Sequence, residues 1–112
     1  MCYISVSINY IRVQNDVLPI KGQQIVLVCS ISDFTSYVSL FKTDRPPTSA
    51  DVQLCFCNSL ECSPYGQRYK VTSNTSGIYI TFPSLDRVQD QKYWTCSINQ
   101  STVSMQLVIY SK

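Results

Sequence analysis

Six cysteines are the residues of this 112-residue sequence with the most evident chemistry. An even number of cysteines in a short chain indicates disulfide bonds formed in an oxidising compartment. A metal site is the alternative. However, Cys55, Cys57 and Cys62 lack the two-residue spacing typical of zinc ligands, and the sequence contains no histidine. We therefore expect disulfides, and no metal or other cofactor.

The same composition excludes the commonest catalytic arrangements. Without histidine, neither a Ser-His-Asp nor a Cys-His arrangement can form. The seven Asp and Glu residues lie mostly in predicted turns, and no glycine-rich segment could surround a phosphate group. We therefore expect a protein that is not an enzyme.

Chain length and net charge narrow the remaining classes of protein. A chain of this length is expected to form a single domain over residues 1–112, and 45% hydrophobic residues can supply its core. A net charge of +2 gives no electrostatic basis for binding nucleic acid or an anionic membrane. No segment approaches the roughly 20 apolar residues of a membrane helix, and the first residues do not resemble a signal peptide. We expect an ectodomain segment of a longer precursor, without direct membrane insertion.

Apolar and polar residues alternate with a period of two along most of the chain, which predicts β-strands. No helical pattern stands out, and Pro19 suits an edge strand because proline cannot donate to a central ladder. The predicted strands cover residues 4–8 with a continuation towards 13, a segment at 17–20 that follows a kink after Val13, and residues 24–31, 38–42, 52–57, 68–71, 78–82, 94–98 and 103–109. About nine short strands at this spacing predict an all-β sandwich.

Two of these segments place a cysteine on an apolar strand face. Ile25, Leu27 and Cys29 share one face of the first, and Trp94 and Cys96 share one face of the second. The second segment begins at an acidic residue, in the order Asp90-Gln91-Lys92-Tyr93-Trp94-Thr95-Cys96. Both cysteines are therefore expected in the core.

These segments resemble strands B and F of immunoglobulin domains. The resemblance implies a two-sheet antiparallel sandwich with a Cys29–Cys96 disulfide between the sheets. Arg68 and Asp90 occupy positions that form an ion pair in the V-type subset, which implies a bidentate clamp. The alternative for this pair is an exposed contact of little energetic value. Loosely, the chain is similar to invertebrate cell-surface allorecognition and immune receptors.

The chain departs from the immunoglobulin pattern at two core positions. Val38-Ser39-Leu40-Phe41-Lys42 matches strand C, but Leu40 replaces the usual tryptophan, and Trp94 replaces the usual tyrosine of strand F. We expect Trp94 to place an aromatic ring in the core and so to compensate for the tryptophan that Leu40 replaces. The predicted core residues are Ile25, Leu27, Leu40, Ile80, Phe82, Leu85 and Trp94.

With Cys29–Cys96 assigned from the resemblance, four cysteines remain. Cys55 and Cys57 are too close on one strand for a direct bond, so one should pair with Cys62 and the other with Cys2. We favour Cys57–Cys62 and Cys2–Cys55. These bridges either staple an irregular loop or pre-order it for binding; alternatively, Cys2 links chains.

Two sequons, Asn74-Thr75-Ser76 and Asn99-Gln100-Ser101, are acceptors for N-linked glycans. Together with the cysteines, they predict an extracellular glycoprotein, either on the cell surface or secreted.

The resemblance also implies a function in recognition. V-type domains bind partners through the sheet formed by strands G, F, C and C′, whose outward residues here are Ser39, Phe41, Gln53, Tyr93, Thr95, Ser104 and Gln106. Phe41 and Tyr93 are the expected anchors, since exposed aromatics among small polar groups form interface hot spots. Single exposed aromatics are also ordinary on any protein surface. The expected partner is another protein, including an identical domain on another cell, and not nucleic acid.

Two other functions remain open on sequence alone. A soluble innate-immune or lectin-like module would bind through the predicted loops at 32–36, 58–66 and 99–102. A structural spacer within a larger ectodomain would bind nothing through this face.

Overall fold

The computed structural model describes residues 6–48, 51–63, 68–98 and 101–111, which form two antiparallel β-sheets. One sheet has the order β1-β2-β7-β6 and the other β5-β4-β3-β8-β9. The elements in chain order are β1 Ser7–Val13, a 3-10 helix Gln14–Asp16, β2 Ile25–Ser32, β3 Val38–Thr43, β4 Cys55–Cys57, β5 Cys62–Ser63, β6 Lys70–Asn74, β7 Gly77–Phe82, α1 Arg87–Asp90, β8 Tyr93–Ile98 and β9 Ser101–Gln106. These nine strands confirm the predicted all-β antiparallel sandwich.

The core lies between the central strands of the two sheets. Alternation on β2 and β7 buries one face of each strand, because successive side chains point to opposite sides of a sheet. Cys29 of β2 and Cys96 of β8 are joined by a disulfide that links the sheets. The predicted core residues all lie in this buried cluster: Ile25, Leu27, Leu40, Ile80, Phe82, Leu85 and Trp94.

Trp94 is fully buried and fills the space beside these central strands. Its ring makes edge-to-face contacts with Phe82 and Tyr69, at centroid distances of 5.1 and 5.2 Å. Its indole Nε1 donates a hydrogen bond to the Asp90 carbonyl at 3.1 Å. In immunoglobulin domains a tyrosine hydroxyl near this point bonds to upstream backbone. Here the indole N–H of a different residue type makes a backbone hydrogen bond of that kind.

The first strand, β1, lies at the edge of its sheet and is irregular. A bulge between Ile8 and Tyr10 shifts the register with β2, so both Ile8 and Ile11 are buried. The kink expected after Val13 is a 3-10 turn in which Asn15 and Asp16 adopt positive φ angles.

The last strand differs from its prediction at both ends. β9 begins at Ser101, so Ser101 and Thr102 belong to the ladder with β8 and not to a loop. It ends at Gln106, after which Tyr110 forms a parallel bridge with Ile20. The carbonyl of Pro19 accepts the Tyr110 N–H there at 2.9 Å, which suits a residue that can accept but not donate.

The segment after β3 also differs from its prediction. Strand β4 covers only Cys55–Cys57, and Val52 lies outside it with 87% of its surface exposed. An unpredicted strand, β5, pairs with β4 so that Cys62 lies opposite Cys57, to which it is bonded. The carbonyl oxygen of the Asn58 side chain accepts the backbone N–H groups of the two turn residues before Cys62. Sequence alternation did not reveal so short a hairpin.

The helical turn α1 lies between β7 and β8, in a part of the sequence where no helical pattern stands out. It contains four residues, Arg87–Asp90. That length is about one turn of a helix, too short for a 3.6-residue period to show in the sequence.

Gly77, the first residue of β7, lies close to the backbone of the neighbouring strand β2. A Cβ atom at this position would lie 2.1 Å from the carbonyl oxygen of Cys29, on the backbone of β2.

We predict that Gly77→Ala destabilises the protein by about 2–4 kcal/mol, because rigid backbone atoms must move. Urea denaturation measures this change. Ser76→Ala, at the exposed neighbouring position, is the control and should change stability little; equal stability of the two variants would contradict the prediction.

Candidate functional site

The outward face of the five-stranded sheet is built from cross-strand rows of side chains. Residues directly opposite each other in antiparallel strands share a face, and the register places Phe41 beside Thr95, and Thr95 beside Ser104. A parallel row runs from Phe56 through Ser39 and Ser97. The face is therefore continuous across β4, β3, β8 and β9.

This face carries no formal charge on the strands that the structure describes. Small hydroxyl and amide side chains surround a few aromatic rings. Its outward residues are Ser39, Phe41, Thr43, Phe56, Ser63, Tyr93, Thr95, Ser97, Thr102, Ser104 and Gln106.

Hydrogen bonds between side chains order much of this face. Ser39 Oγ donates to Gln53 Oε1 at 2.6 Å. The hydroxyl groups of Thr95 and Ser104 lie 2.9 Å apart. A third pair, Ser97 and Thr102, lies 2.7 Å apart. Polar groups that are fixed in this way lose less freedom when a partner binds.

The structure brings most of the predicted contact residues onto this one face. Ser39, Phe41, Tyr93, Ser104 and Gln106 all point outward from their strands. Phe41 and Tyr93 are partly buried rather than fully exposed, and they are diagonal neighbours on adjacent strands.

Two residues of the predicted set are placed differently. Thr95 was expected to meet a partner directly, but it is only 2% exposed. It lies between Phe41 and Ser104, whose side chains flank it on the adjacent strands, so little of its surface is left for direct contact with a partner. Gln53 is exposed as expected, but it lies in irregular chain before β4 and reaches the face through its bond to Ser39.

Phe56 and Tyr37 extend the face beyond the predicted residues. Their rings meet edge to face at 5.1 Å, and Tyr37 is 50% exposed. Phe56 points outward because Cys55 and Cys57 on either side of it are buried. The sequence placed Phe56 opposite the two cysteines, but both sets are apolar, so alternation could not show which set faces outward.

Arg68 and Asp90 form a bidentate ion pair at the end of the sandwich. Arg68 Nε donates to Asp90 Oδ1 at 3.0 Å, and its Nη2 donates to Oδ2 at 2.9 Å. The backbone N–H of Asp86 donates to the same Oδ2 at 2.8 Å. Arg68 also donates to the carbonyl of Ser84. The clamp therefore joins the start of β6 to both ends of the turn before β8.

The protonation of Asp90 follows from two opposing effects. Complete burial favours the neutral acid, but the hydrogen bonds from Arg68 and Asp86 outweigh it, so the pKa of Asp90 falls below its ordinary value of 3.8. A lowered folded-state pKa stabilises the fold above the unfolded value of about 4. That stabilisation is lost as the pH falls through the folded value. Burial, followed by hydrogen bonding with the nearby Asp90 carboxylate and then by its charge, raises the pKa of Tyr69.

We predict that Arg68→Ala destabilises the fold by about 1–3 kcal/mol at neutral pH, because a buried carboxylate loses its partner. The value lies below that of a fully buried pair because 37% of the Arg68 side chain is exposed. Chemical denaturation at pH 7 and at lower pH measures it, and the difference from the unmutated protein should shrink below pH 4.

The matched control is Arg45→Ala. Arg45 forms a bidentate pair with Asp51 on the surface, with 58% of its side chain exposed. Solvent screening makes such a pair weak, so this variant should unfold close to the unmutated protein. Equal losses in the two variants would contradict a special role for Asp90.

The remaining predicted site residues concern cysteines and sequons. Cys55 is buried and, within the described ranges, has no disulfide partner. Burial raises the pKa of its thiol to about 11, so it stays protonated at neutral pH. Cys2 and Asn99 lie outside the described residues, so the Cys2–Cys55 pairing stays a prediction. Asn74 is exposed at the end of β6.

None of the helices in the described ranges is long and apolar enough to cross a membrane. Across those same ranges, His, Cys, Asp and Glu side chains form no cluster that could hold a metal ion.

Comparisons with known proteins find similarity of structure only. No family model and no curated protein matches the sequence. The structure of the swine CD8aa homodimer is similar with a TM-score of 0.61 and 12% identity, covering 91% of this chain and 97% of that one. Human T-cell immunoglobulin and mucin domain protein 1 is similar with a TM-score of 0.60 and 15% identity, covering 90% and 98%. With the two antiparallel sheets and the disulfide between them, these similarities show that the chain has the V-type immunoglobulin fold.

Proposed function

We propose that this chain is a non-catalytic recognition domain of the cell surface or extracellular space, and that it binds a protein partner through the outward face of its five-stranded sheet. The observation that carries the proposal is the composition of that face. Partly exposed aromatic rings lie among small hydroxyl groups, and the described strands contribute no charge.

The arrangement of the aromatics favours a protein partner. Phe41 and Tyr93 form one pair at the centre of the sheet, and Phe56 and Tyr37 form a second towards β5. Aromatic side chains supply most of the binding energy at protein interfaces when small polar groups surround them and exclude water. Two such groups on one sheet could anchor a partner at two points.

An extracellular setting accounts for the disulfide bonds and the glycosylation sites of the chain. The disulfides Cys29–Cys96 and Cys57–Cys62 are of the kind that persists in oxidising compartments. The similar structures support the same setting, since one is named for its immunoglobulin and mucin domains. Glycans on Asn74 and Asn99 belong to this proposal.

The favoured partner is a second copy of the same domain. Two identical charged faces repel each other, whereas an uncharged face can meet its own copy across a two-fold axis without unpaired charge. The swine CD8aa structure is that of a homodimer, so self-association is compatible with this fold.

We predict that the domain dimerises reversibly in analytical ultracentrifugation over a concentration series, and that Phe41→Ala weakens the dimer by about tenfold or more, as expected for loss of an interface anchor. Because Phe41 is only partly buried, this variant should remain folded, which circular dichroism can verify.

The matched control is Tyr10→Ala, which removes an aromatic side chain with 38% exposure from the other sheet. Its dimer should be as stable as that of the unmutated domain. Equal weakening in both variants would move the contact away from the proposed face. A monomer at every concentration would contradict self-recognition by the isolated domain.

A further inference from the structure

A second site lies at the end of the sandwich, where it adjoins the uncharged face at Thr43. An open cleft of about 570 Å³ separates the end of β3 and the residues after it from the turn α1 and the start of β8. Its volume falls in the range typical of small-molecule sites. Its lining residues are Lys42, Thr43, Asp44, Arg45, Val88, Gln89 and Lys92.

Cations outnumber carboxylates among the lining residues of the cleft. Lys42, Arg45 and Lys92 contribute positive charges and Asp44 contributes the one negative charge. Lys92 is held by its ion pair with Asp44, while Arg45 is held by Asp51. A cleft concentrates the field of such charges and attracts anions.

Lys42 is the cation with the greatest need of an anion. It has no carboxylate within ion-pair distance among the described residues, and its Nζ donates to the neutral hydroxyl of Tyr69 at 3.1 Å. Burial, followed by the charge of Lys92, lowers its pKa. A bound anion would offset both unfavourable effects on this ammonium group.

The Lys42 side chain is held in place by Tyr69. Its ammonium lies 5.2 Å from the centroid of the Tyr69 ring, and the Tyr69 hydroxyl donates to the carbonyl of Gln89 at 3.3 Å. Tyr69 in turn packs against Trp94 and Phe82 in the core. The cation is therefore held at the cleft by buried aromatic residues and not by a flexible surface loop.

The other lining groups indicate the rest of the ligand. Thr43 and Gln89 present a hydroxyl and an amide that can bond to ligand hydroxyls. Val88 is 77% exposed on α1 and offers an apolar contact beside them. One anionic group, several hydroxyls and one apolar surface are together the chemistry of an acidic sugar.

We propose that this cleft binds a carboxylate-bearing sugar, with the carboxylate at Lys42 and Lys92 and the sugar ring against Thr43, Val88 and Gln89. The site adjoins the uncharged face at Thr43 but draws its cations from outside that face, so it would add a glycan-binding activity to a protein-binding domain. An acidic peptide is the competing ligand, and titration with N-acetylglutamate amide distinguishes it from an acidic sugar.

The test is an NMR titration of the ¹⁵N-labelled domain with methyl glucuronide and with methyl glucoside, which differ only by the carboxylate. We expect the glucuronide to shift the amides of Thr43, Val88 and Gln89 and to saturate, whereas the glucoside should cause no saturable shift. Lys42→Gln should weaken glucuronide binding by about tenfold, as for loss of one charge-assisted hydrogen bond.

The matched control is Lys70→Gln, which removes the same charge from an exposed position on β6 of the other sheet. Its affinity should be unchanged. Lys92→Gln is the second variant if Lys42→Gln fails to fold, and it should also weaken binding, because Lys92 is the other cation placed at the carboxylate. Similar responses to both sugars, equal effects of Lys42→Gln and Lys70→Gln, or equally tight binding of N-acetylglutamate amide would each overturn the proposal.

Discussion

The buried carboxylate of Asp90 is the interaction on which one end of this molecule depends. A fully buried charge is costly unless it is paired and hydrogen-bonded. Here it receives two hydrogen bonds from Arg68 and one from the backbone of Asp86. The backbone carbonyl of the same residue accepts the indole N–H of Trp94. Asp90 therefore connects β6, the turn before β8 and the centre of the core through one residue.

Both proposed binding surfaces adjoin the ion pair of Arg68 and Asp90. Tyr93 on the uncharged face follows Asp90 by three residues, at the first position of β8. Lys42 in the cationic cleft lies over Tyr69, which directly follows Arg68 and packs on Trp94. One clamp thus positions an aromatic side chain on the sheet and an ammonium group at the end of the sandwich. The two surfaces differ in charge because the outward strand residues of the sheet are uncharged, whereas Lys42, Arg45 and Lys92 line the cleft.

Sequence alternation predicted the strands that bury one face and expose the other. It succeeded for β2 and β7, where apolar and polar faces differ. The type of sandwich was predicted from the resemblance of the segments around the two cysteines, Arg68 and Asp90 to V-type immunoglobulin domains. Alternation failed where the contrast between the two faces disappears. In β4 both faces are apolar, so the outward position of Phe56 could not be assigned. Thr95 is polar and points outward, yet its neighbours bury it. The cationic cleft joins residues from three separate segments, and no local pattern in the sequence brings these together.

The ionisation of Asp90 tests the account most directly. Carbon-13 NMR of the aspartate carboxyl groups over a pH titration, with Asp90 assigned from an Asp90→Asn variant, reports its pKa in the folded protein. The clamp predicts a pKa below the ordinary value of 3.8, since the hydrogen bonds to the carboxylate outweigh its burial. A pKa at or above 3.8 would mean that burial dominates, and it would contradict the role of an ionised Asp90 in holding this end of the sandwich together.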